Sequence, residues 1–424
     1  MPDKNINKTL VGAGAASAGL AGLGFTRQRF QKKVDPTQID ILAGTSSHGA
    51  GKGYTVFDTQ RKAWAEELRK TIPRVYEYGV RDILYKYKPG RYPVTTSMPS
   101  AKSVAEFHVG HPGQSVIRTL INRIVKGQPQ YRIFSDFGPG NLNQPEMFLG
   151  GKNWMKAPRS PIYTRNIVPG GKHFDTPKAQ KRNISVTTIP TSPVFEKSKS
   201  NIRLFPRTKR VLVSSGSGVA WEKQFPIESR NFEAMSEALG KNYKVTVLGG
   251  PNISAEYDEY LKEFSKKNKQ FKYIQKVDQR GVGKLYRKSD IVMMVPGSTS
   301  AEFAAMPGRK PKVIAVIPAK GQSLEHLKSN AKWLEKEIGG TVTFNMPTKA
   351  TAKDYSNIFS KIEKSVSPSK KSIKIKPKEI QKIYKTVLKD FGKAQKTTRL
   401  IKRMGLAGLG VTGIGLALNS VVKK

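Results

Sequence analysis

The chain has 424 residues and no cysteine, which excludes disulfides, thiol catalysis and cysteine zinc sites and agrees with a reducing compartment. Lys and Arg number 75 against 31 Asp and Glu, and a formal charge of +44 implies an anionic partner, either phospholipid or nucleic acid. With 37% hydrophobic and 25% charged residues the composition is globular, and the length suits two or three domains.

From the N-terminus, TLVGAGAASAGLAGLGF (9–25) carries no charge, and a similar stretch, MGLAGLGVTGIGLALNSVV (404–422), closes the chain. The hexamer GLAGLG stands in both, at 19–24 and 405–410. A bilayer core takes about 20 apolar helical residues, so both stretches are expected to be short membrane segments, spanning or inserting shallowly. Small residues four apart, Ala15 with Gly19 and Gly408 with Thr412, would let the two ends pack closely on each other. Each segment is flanked on the side of the body by basic residues: TRQRFQKK (26–33), and 370–403 with 13 basic residues against 2 acidic. Such clusters bind anionic lipid, and the positive-inside rule puts the body on the cytoplasmic side. Lys4 and Lys8, the apolar run and Ala16-Ser17-Ala18 also fit a signal peptide, and the basic stretches also suit a solvated or nucleic-acid-binding face.

Between the ends, short apolar runs alternate with amphipathic patterns. IDILAGTSS (39–47) reads as a strand, and 55–72 as a helix with Phe57, Trp64, Leu68 and Ile72 on one face, Trp64 as core. A helix over 114–127, a strand at 131–138, an irregular region at 138–180 and a strand from 184 that breaks at prolines follow. After a linker (195–209) a second unit opens with RVLVSSGSG (210–218). Strands are expected at 243–250, 272–277, 290–297, 312–319 and 341–344, separated by helices at 228–240, 256–268, 281–289, 298–306 and 324–337. This alternation predicts two α/β domains with parallel sheets facing a cleft.

Ligands of such folds bind beyond the carboxyl ends of the strands, where three loops are unusual. TSSHGAGKG (45–53) offers Gly49, Gly51 and Lys52 to an anion, but it is not a Walker A loop because Gly53 follows Lys52. SSGSG (214–218) supplies Ser215, Gly216 and Gly218. PGSTSAE (296–302) places Ser298, Thr299 and Ser300 at a helix start, with Glu302 in its first turn. Three such loops in two domains point to a phosphate-bearing ligand.

These residues resemble the GT-B glycosyltransferases that include the peptidoglycan N-acetylglucosaminyltransferase and the monogalactosyldiacylglycerol synthase and diacylglycerol glucosyltransferase family. ILAGTSSHGAGKG is similar to that family's first glycine-rich loop, GHPGQSVIRTL (110–120) to its His-Pro segment, and IFSDFG (133–138) to its strand ending in Thr-Asp. ISVTTIPTSPVF (184–195) resembles the domain junction, and the block from KLYRKSD (284–290) to WLEKE (333–337) resembles the donor site. The likeness runs over about 37–365. It implies a UDP-sugar as donor substrate and no further cofactor. Glu302 would accept from the ribose hydroxyls, and Ser298, Thr299 and Ser300 would hold the pyrophosphate. Gln322 and Asn330 would approach the sugar. No Asp-x-Asp motif occurs, which suits transfer without a metal.

The implied acceptor is a lipid such as diacylglycerol, met by His111 and Asp136, each of which also reads as structural. The catalytic base would be His48, since a histidine beside an acceptor hydroxyl works near neutral pH. The sequence departs from the lipid enzymes here: their loop ends Gly-x-Gly-His, whereas this one ends Gly49-Ala50-Gly51-Lys52. If His48 is only a loop residue and Lys52 only binds phosphate, the chain is a non-catalytic membrane-associated protein on the same fold. A DNA-modifying glucosyltransferase also fits the charge. The expected organisation is an apolar segment with basic flank (1–33), an acceptor domain (37–195), a donor domain (208–365), a basic helical region (366–403) and an apolar segment (404–424).

Overall fold

The computed structural model describes residues 3–43, 56–79, 102–109, 116–133, 163–169, 183–188, 190, 208–214, 225–250, 253–275, 277, 279–297, 299–319 and 324–421. The chain opens on a long helix, α1 (Asp3–Gln31), and then builds a six-stranded sheet. In chain order the elements are β1 (Asp35–Ala43), α2 (Val56–Arg69), β2 (Arg74–Gly79), β3 (Ser103–Val109), α3 (Val116–Ile124), β4 (Gln130–Ile133), β5 (Arg165–Pro169) and β6 (Asn183–Val186). The second sheet begins with β7 (Lys209–Ser214) and continues through α4 (Asn231–Leu239), β8 (Tyr243–Leu248), α5 (Ala255–Lys267), β9 (Phe271–Ile274), α6 (Gln279–Lys288) and β10 (Ile291–Met294). It ends with α7 (Thr299–Ala305), β11 (Lys312–Pro318), α8 (Leu324–Glu337), β12 (Thr341–Met346) and α9 (Ala352–Lys364). A final helix, α10 (Pro377–Val421), is 45 residues long.

Both sheets are parallel throughout. The first has the order β2-β1-β3-β4-β5-β6 and the second β12-β11-β10-β7-β8-β9. Counted from β7 as strand one, the second order is 3-2-1-4-5-6, that of the dinucleotide-binding Rossmann sheet. Parallel strands in an order that reverses within the sheet are the pattern of a doubly wound fold. This is the two-Rossmann-domain architecture expected of a GT-B chain. Strands covered on both faces must be apolar along their length, and β10 (Ile-Val-Met-Met) is buried at all four positions.

Four elements depart from the expectations. β2 is an edge strand whose Arg74, Glu77 and exposed Tyr76 hide the apolar signal. β3 (Ser-Val-Ala-Glu-Phe-His-Val) is buried throughout yet carries Glu106 and His108. β5 is five residues inside the stretch read as irregular. Last, α9 has a capping box in which Thr351 and Asp354 exchange side-chain and backbone bonds. Its buried stripe, Tyr355, Ile358, Phe359 and Ile362, repeats at helical spacing.

The two ends of the chain narrow the membrane expectation, which allowed spanning or shallow insertion. Among the described residues no helix is long and apolar enough to cross a membrane. The two GLAGLG copies instead lie on α1 and α10, which pack as an antiparallel pair. The contacting residues are Gly14 with Thr412, Ser17 with Gly408, Ala21 with Gly405, and Gly24 with Lys402. A Cβ added at Gly24 would lie 2.6 Å from the Lys402 Cα, and one at Gly405 would collide with the Ala21 backbone. Gly408 and Thr412 serve as expected, but Gly19 meets nothing, because helical spacing turns Ser17, Ala21 and Gly24 toward the partner.

α10 is one helix through both the basic and the apolar stretch, and its first half is bound to the first sheet. Ile380, Ile383, Val387 and Phe391 form its buried stripe. The Asp390 carboxylate accepts from Tyr131 Oη at 2.8 Å and from Arg165 Nε and Nη2 at 2.5 and 2.8 Å. Glu379 accepts from the Thr187 amide and hydroxyl at 2.8 and 2.9 Å.

Candidate functional site

In an open parallel sheet the crevice lies where the strand order reverses. In the second sheet that point is between β7 and β10, whose last residues, Ser214 and Met294, are register partners. The predicted phosphate loops leave from these two paired ends. The first of them, with Ser215, Gly216 and Gly218, lies outside the described residues, as do Ser298 and Gln322.

The turn after β10 is folded on itself. The Gly297 amide donates to the Val295 carbonyl at 2.8 Å, and the Ser300 amide to the Gly297 carbonyl at 3.0 Å. From α8, Asn330 Nδ2 donates to the Pro296 carbonyl at 2.6 Å. Asn330 is fully buried. What it holds in this structure is the turn. Ser300 is also fully buried, and its Oγ has no hydrogen-bond partner among the described residues. Thr299 and Glu302 lie in the first turn of α7, and the structure does not describe their side chains.

The far end of α7 is anchored. Phe303, Ala304, Ala305 and Met306 are buried, with Phe303 packed against Tyr286 of α6. The strap between α9 and α10 caps the carbonyls that a helix end leaves open: the Ser372 hydroxyl donates to Ala305 at 2.5 Å, and the Ile373 amide to Ala304 at 3.3 Å. Lys310 Nζ reaches back to the Ser369 and Lys371 carbonyls at 2.9 and 2.7 Å. Burial, and then the nearby Arg287 guanidinium, push the Lys310 ammonium down to about 8.

In the first sheet the order reverses between β1 and β3, and Ala43, Val109 and Ile133 end three neighbouring strands, paired 43 to 109 and 109 to 133. The segments carrying His48, Gly49, Gly51 and Lys52, then His111, then Asp136 follow these three ends in turn. All six residues lie outside the described residues. The topology therefore starts side by side the three segments that were expected to meet the acceptor.

Beneath those strand ends lies a buried polar lattice that the sequence reading missed. Glu106 accepts from Asn122 Nδ2 at 3.0 and 2.9 Å. His108 Nε2 is bonded to Gln130 Oε1 at 2.9 Å, and its ring meets Tyr163 edge-on at 5.6 Å. Gln128 Nε2 donates to the Ser103 carbonyl and hydroxyl at 2.9 and 2.8 Å. This lattice ties β3, β4 and α3 together on either side of the segment carrying His111. Its signal in the sequence is a short strand with two polar residues, Glu106 and His108, at neighbouring positions of one face. Trp64 is core, as expected, and so is Trp333.

No family model matches the chain, and no curated protein matches it. Many solved structures are similar to it, among them the following three. MurG of Acinetobacter baumannii is 13% identical, covering 86% of this chain and 99% of its own, with a TM-score of 0.45. The UDP co-structure of MnaA from S. aureus is 8% identical, covering 77% of this chain and 88% of its own, with a TM-score of 0.49. Sucrose-phosphate synthase from Thermosynechococcus elongatus is 10% identical over 91% of this chain and 100% of its own, with a TM-score of 0.45.

Proposed function

We propose that this chain is a membrane-associated glycosyltransferase that moves a sugar from a UDP-sugar to a lipid acceptor such as diacylglycerol. The observation that carries the reading is the second sheet's reversal point. There the paired ends of β7 and β10 open into a glycine-rich loop and a Ser/Thr-rich turn, and the turn is buttressed by Asn330 and carries the unpaired Ser300 hydroxyl. A buried hydroxyl without a partner costs free energy, which a diphosphate oxygen accepting from it would recover. In this reading Ser298, Thr299, Ser300 and the loop at 215–218 hold the diphosphate, and Glu302 accepts from the ribose. His48, on the segment that follows β1, takes the proton of the acceptor hydroxyl as it attacks the anomeric carbon. The departing nucleoside diphosphate takes up the bonding electrons, and its charge is met by hydrogen-bond donors of the loops. The basic ends hold the body against an anionic membrane, on its cytoplasmic side.

The test is UDP release from UDP-glucose, UDP-galactose and UDP-N-acetylglucosamine by the full-length chain on anionic liposomes, with and without diacylglycerol. Glu302→Ala is the control. Lipid-dependent release that Glu302→Ala abolishes is the expected result. If no donor is turned over or bound, the Gly51-Lys52 departure becomes the telling feature, and the chain is a non-catalytic protein on this fold.

A further inference from the structure

The α1/α10 pair has its large and small side chains the wrong way round for water. Two helices that associate in water bury their large apolar residues in the seam. This seam holds Ser17, Ala21, Gly24, Gly405, Gly408 and Thr412. The large residues face outward instead: Val11 is 60% exposed and Val411 70%, and Leu20, Phe25, Leu406 and Leu409 are exposed as well. Close backbone approach through small residues is how helices pair where the surroundings are already apolar. α10 continues for thirty residues past Phe391, its last buried residue on the apolar stripe, so the outer part of the pair stands clear of that anchor.

Charge selects the surroundings. The same two helices carry the exposed Arg29, Lys396, Arg399 and Arg403 on the side of the body, and Lys402 lies 4.2 Å from the Phe25 ring centroid at the boundary. Among the described side chains of the pair, Asp390 is the acidic residue nearest this collar, and Arg165 and Tyr131 engage it. We propose that α1 and α10 form a preassembled hairpin that seats its outer apolar faces at the headgroup–acyl boundary of an anionic bilayer. It does so without crossing, while the basic collar stays at the phosphates. This deepens the membrane-held reading above and rests on it for the choice of lipid, but it requires no sugar transfer.

The experiment is flotation of the full-length chain with phosphatidylcholine vesicles that do or do not contain phosphatidylglycerol. It is combined with a spin label at Leu409→Cys, a unique site because the chain has no cysteine. Binding to the anionic vesicles, with the label moving from a water-accessible to an oxygen-rich environment, is the expected result. Leu406→Gln, Leu409→Gln and Val411→Gln together should lower partitioning about tenfold or more, because insertion scales with buried apolar area. UDP affinity by calorimetry should be unchanged in that triple variant, which separates the membrane claim from the donor site. Absence of flotation, or flotation with the label still in water, overturns the proposal. So does a dimer in solution that the triple variant dissociates, since a second copy would then cover the face.

Discussion

Asn330 and Pro296 are joined by a 2.6 Å bond from a buried side-chain amide to a backbone carbonyl, across 34 residues of chain. One end lies in α8 and the other in the turn between β10 and α7. The bond fixes the turn before any ligand arrives, which makes Asn330 a positioning residue.

Replacing Asn330 with Leu keeps a similar volume and leaves the Pro296 carbonyl buried without its donor, at a cost of about 1–3 kcal/mol. The expected outcome is a lower midpoint in urea and weaker UDP binding, with Asn330→Gln recovering little because its amide sits one carbon farther out. Equal loss of stability with UDP affinity intact would show that the turn is not part of the donor site.

Much of the second domain was legible, because its strands are buried on both faces and are bounded by glycine, proline and helical periods. β10 and β11 are of this kind, and α8 runs over Leu324–Glu337 as its pattern predicts. The first domain was read less well for a physical reason. β3 buries Glu106 and His108 by pairing them with Asn122 and Gln130, and no periodic apolar signal marks a strand stabilised in that way. In α1 the small-residue spacing announced a close helix pair, but the pairing of Gly24 with Lys402 depends on the angle at which the helices meet. Of the candidate site residues, Ser300 and Asn330 have described side chains, and the bond from Asn330 to the Pro296 carbonyl joins residues too far apart in the chain for a local pattern to announce it.

Asp390 anchors α10 to the first sheet. Its bonds to Arg165 hold the guanidinium above its usual range, and burial together with the neighbouring carboxylate pushes the Tyr131 phenol well up. Asp390→Ala removes the carboxylate that faces the half-buried Arg165, and breaking such a pair from one side costs about 3–5 kcal/mol. Faster amide exchange along 377–391, with the second domain unaffected, is the expected pattern. Uniform exchange in the variant and the parent would remove α10 from the first domain's stability.

Lys310 gives a signed pH dependence. Its ammonium is pushed down to about 8 in the folded chain, against 10.5 for an ordinary lysine. Between these values the unfolded chain binds more protons, so this residue's contribution to stability rises with pH from about 8 and levels off near 10.5. A neutral amine still donates to Ser369 and Lys371, so the strap stays attached as the charge is lost. Lys310→Met should lower stability at neutral pH by stranding two carbonyls, and it should abolish the rise. A rise that persists in the variant would assign it to another group.

Ser300 sets stability against binding. Its hydroxyl is buried and unpaired, so Ser300→Ala removes a polar group that the unliganded protein leaves unsatisfied. Unfolding free energy should stay level or rise by about 1 kcal/mol, the reverse of the usual effect of a buried substitution. If the hydroxyl donates to the diphosphate, UDP affinity should fall about tenfold, the scale of one hydrogen bond to a charged group. Calorimetric titration of UDP beside urea unfolding, on the same two proteins, reads both effects. A more stable protein with weaker UDP binding marks a residue kept for its ligand at the expense of the fold. A less stable protein with unchanged UDP binding would mean that the hydroxyl serves the turn, and the β10–α7 segment would lose its place in the donor site.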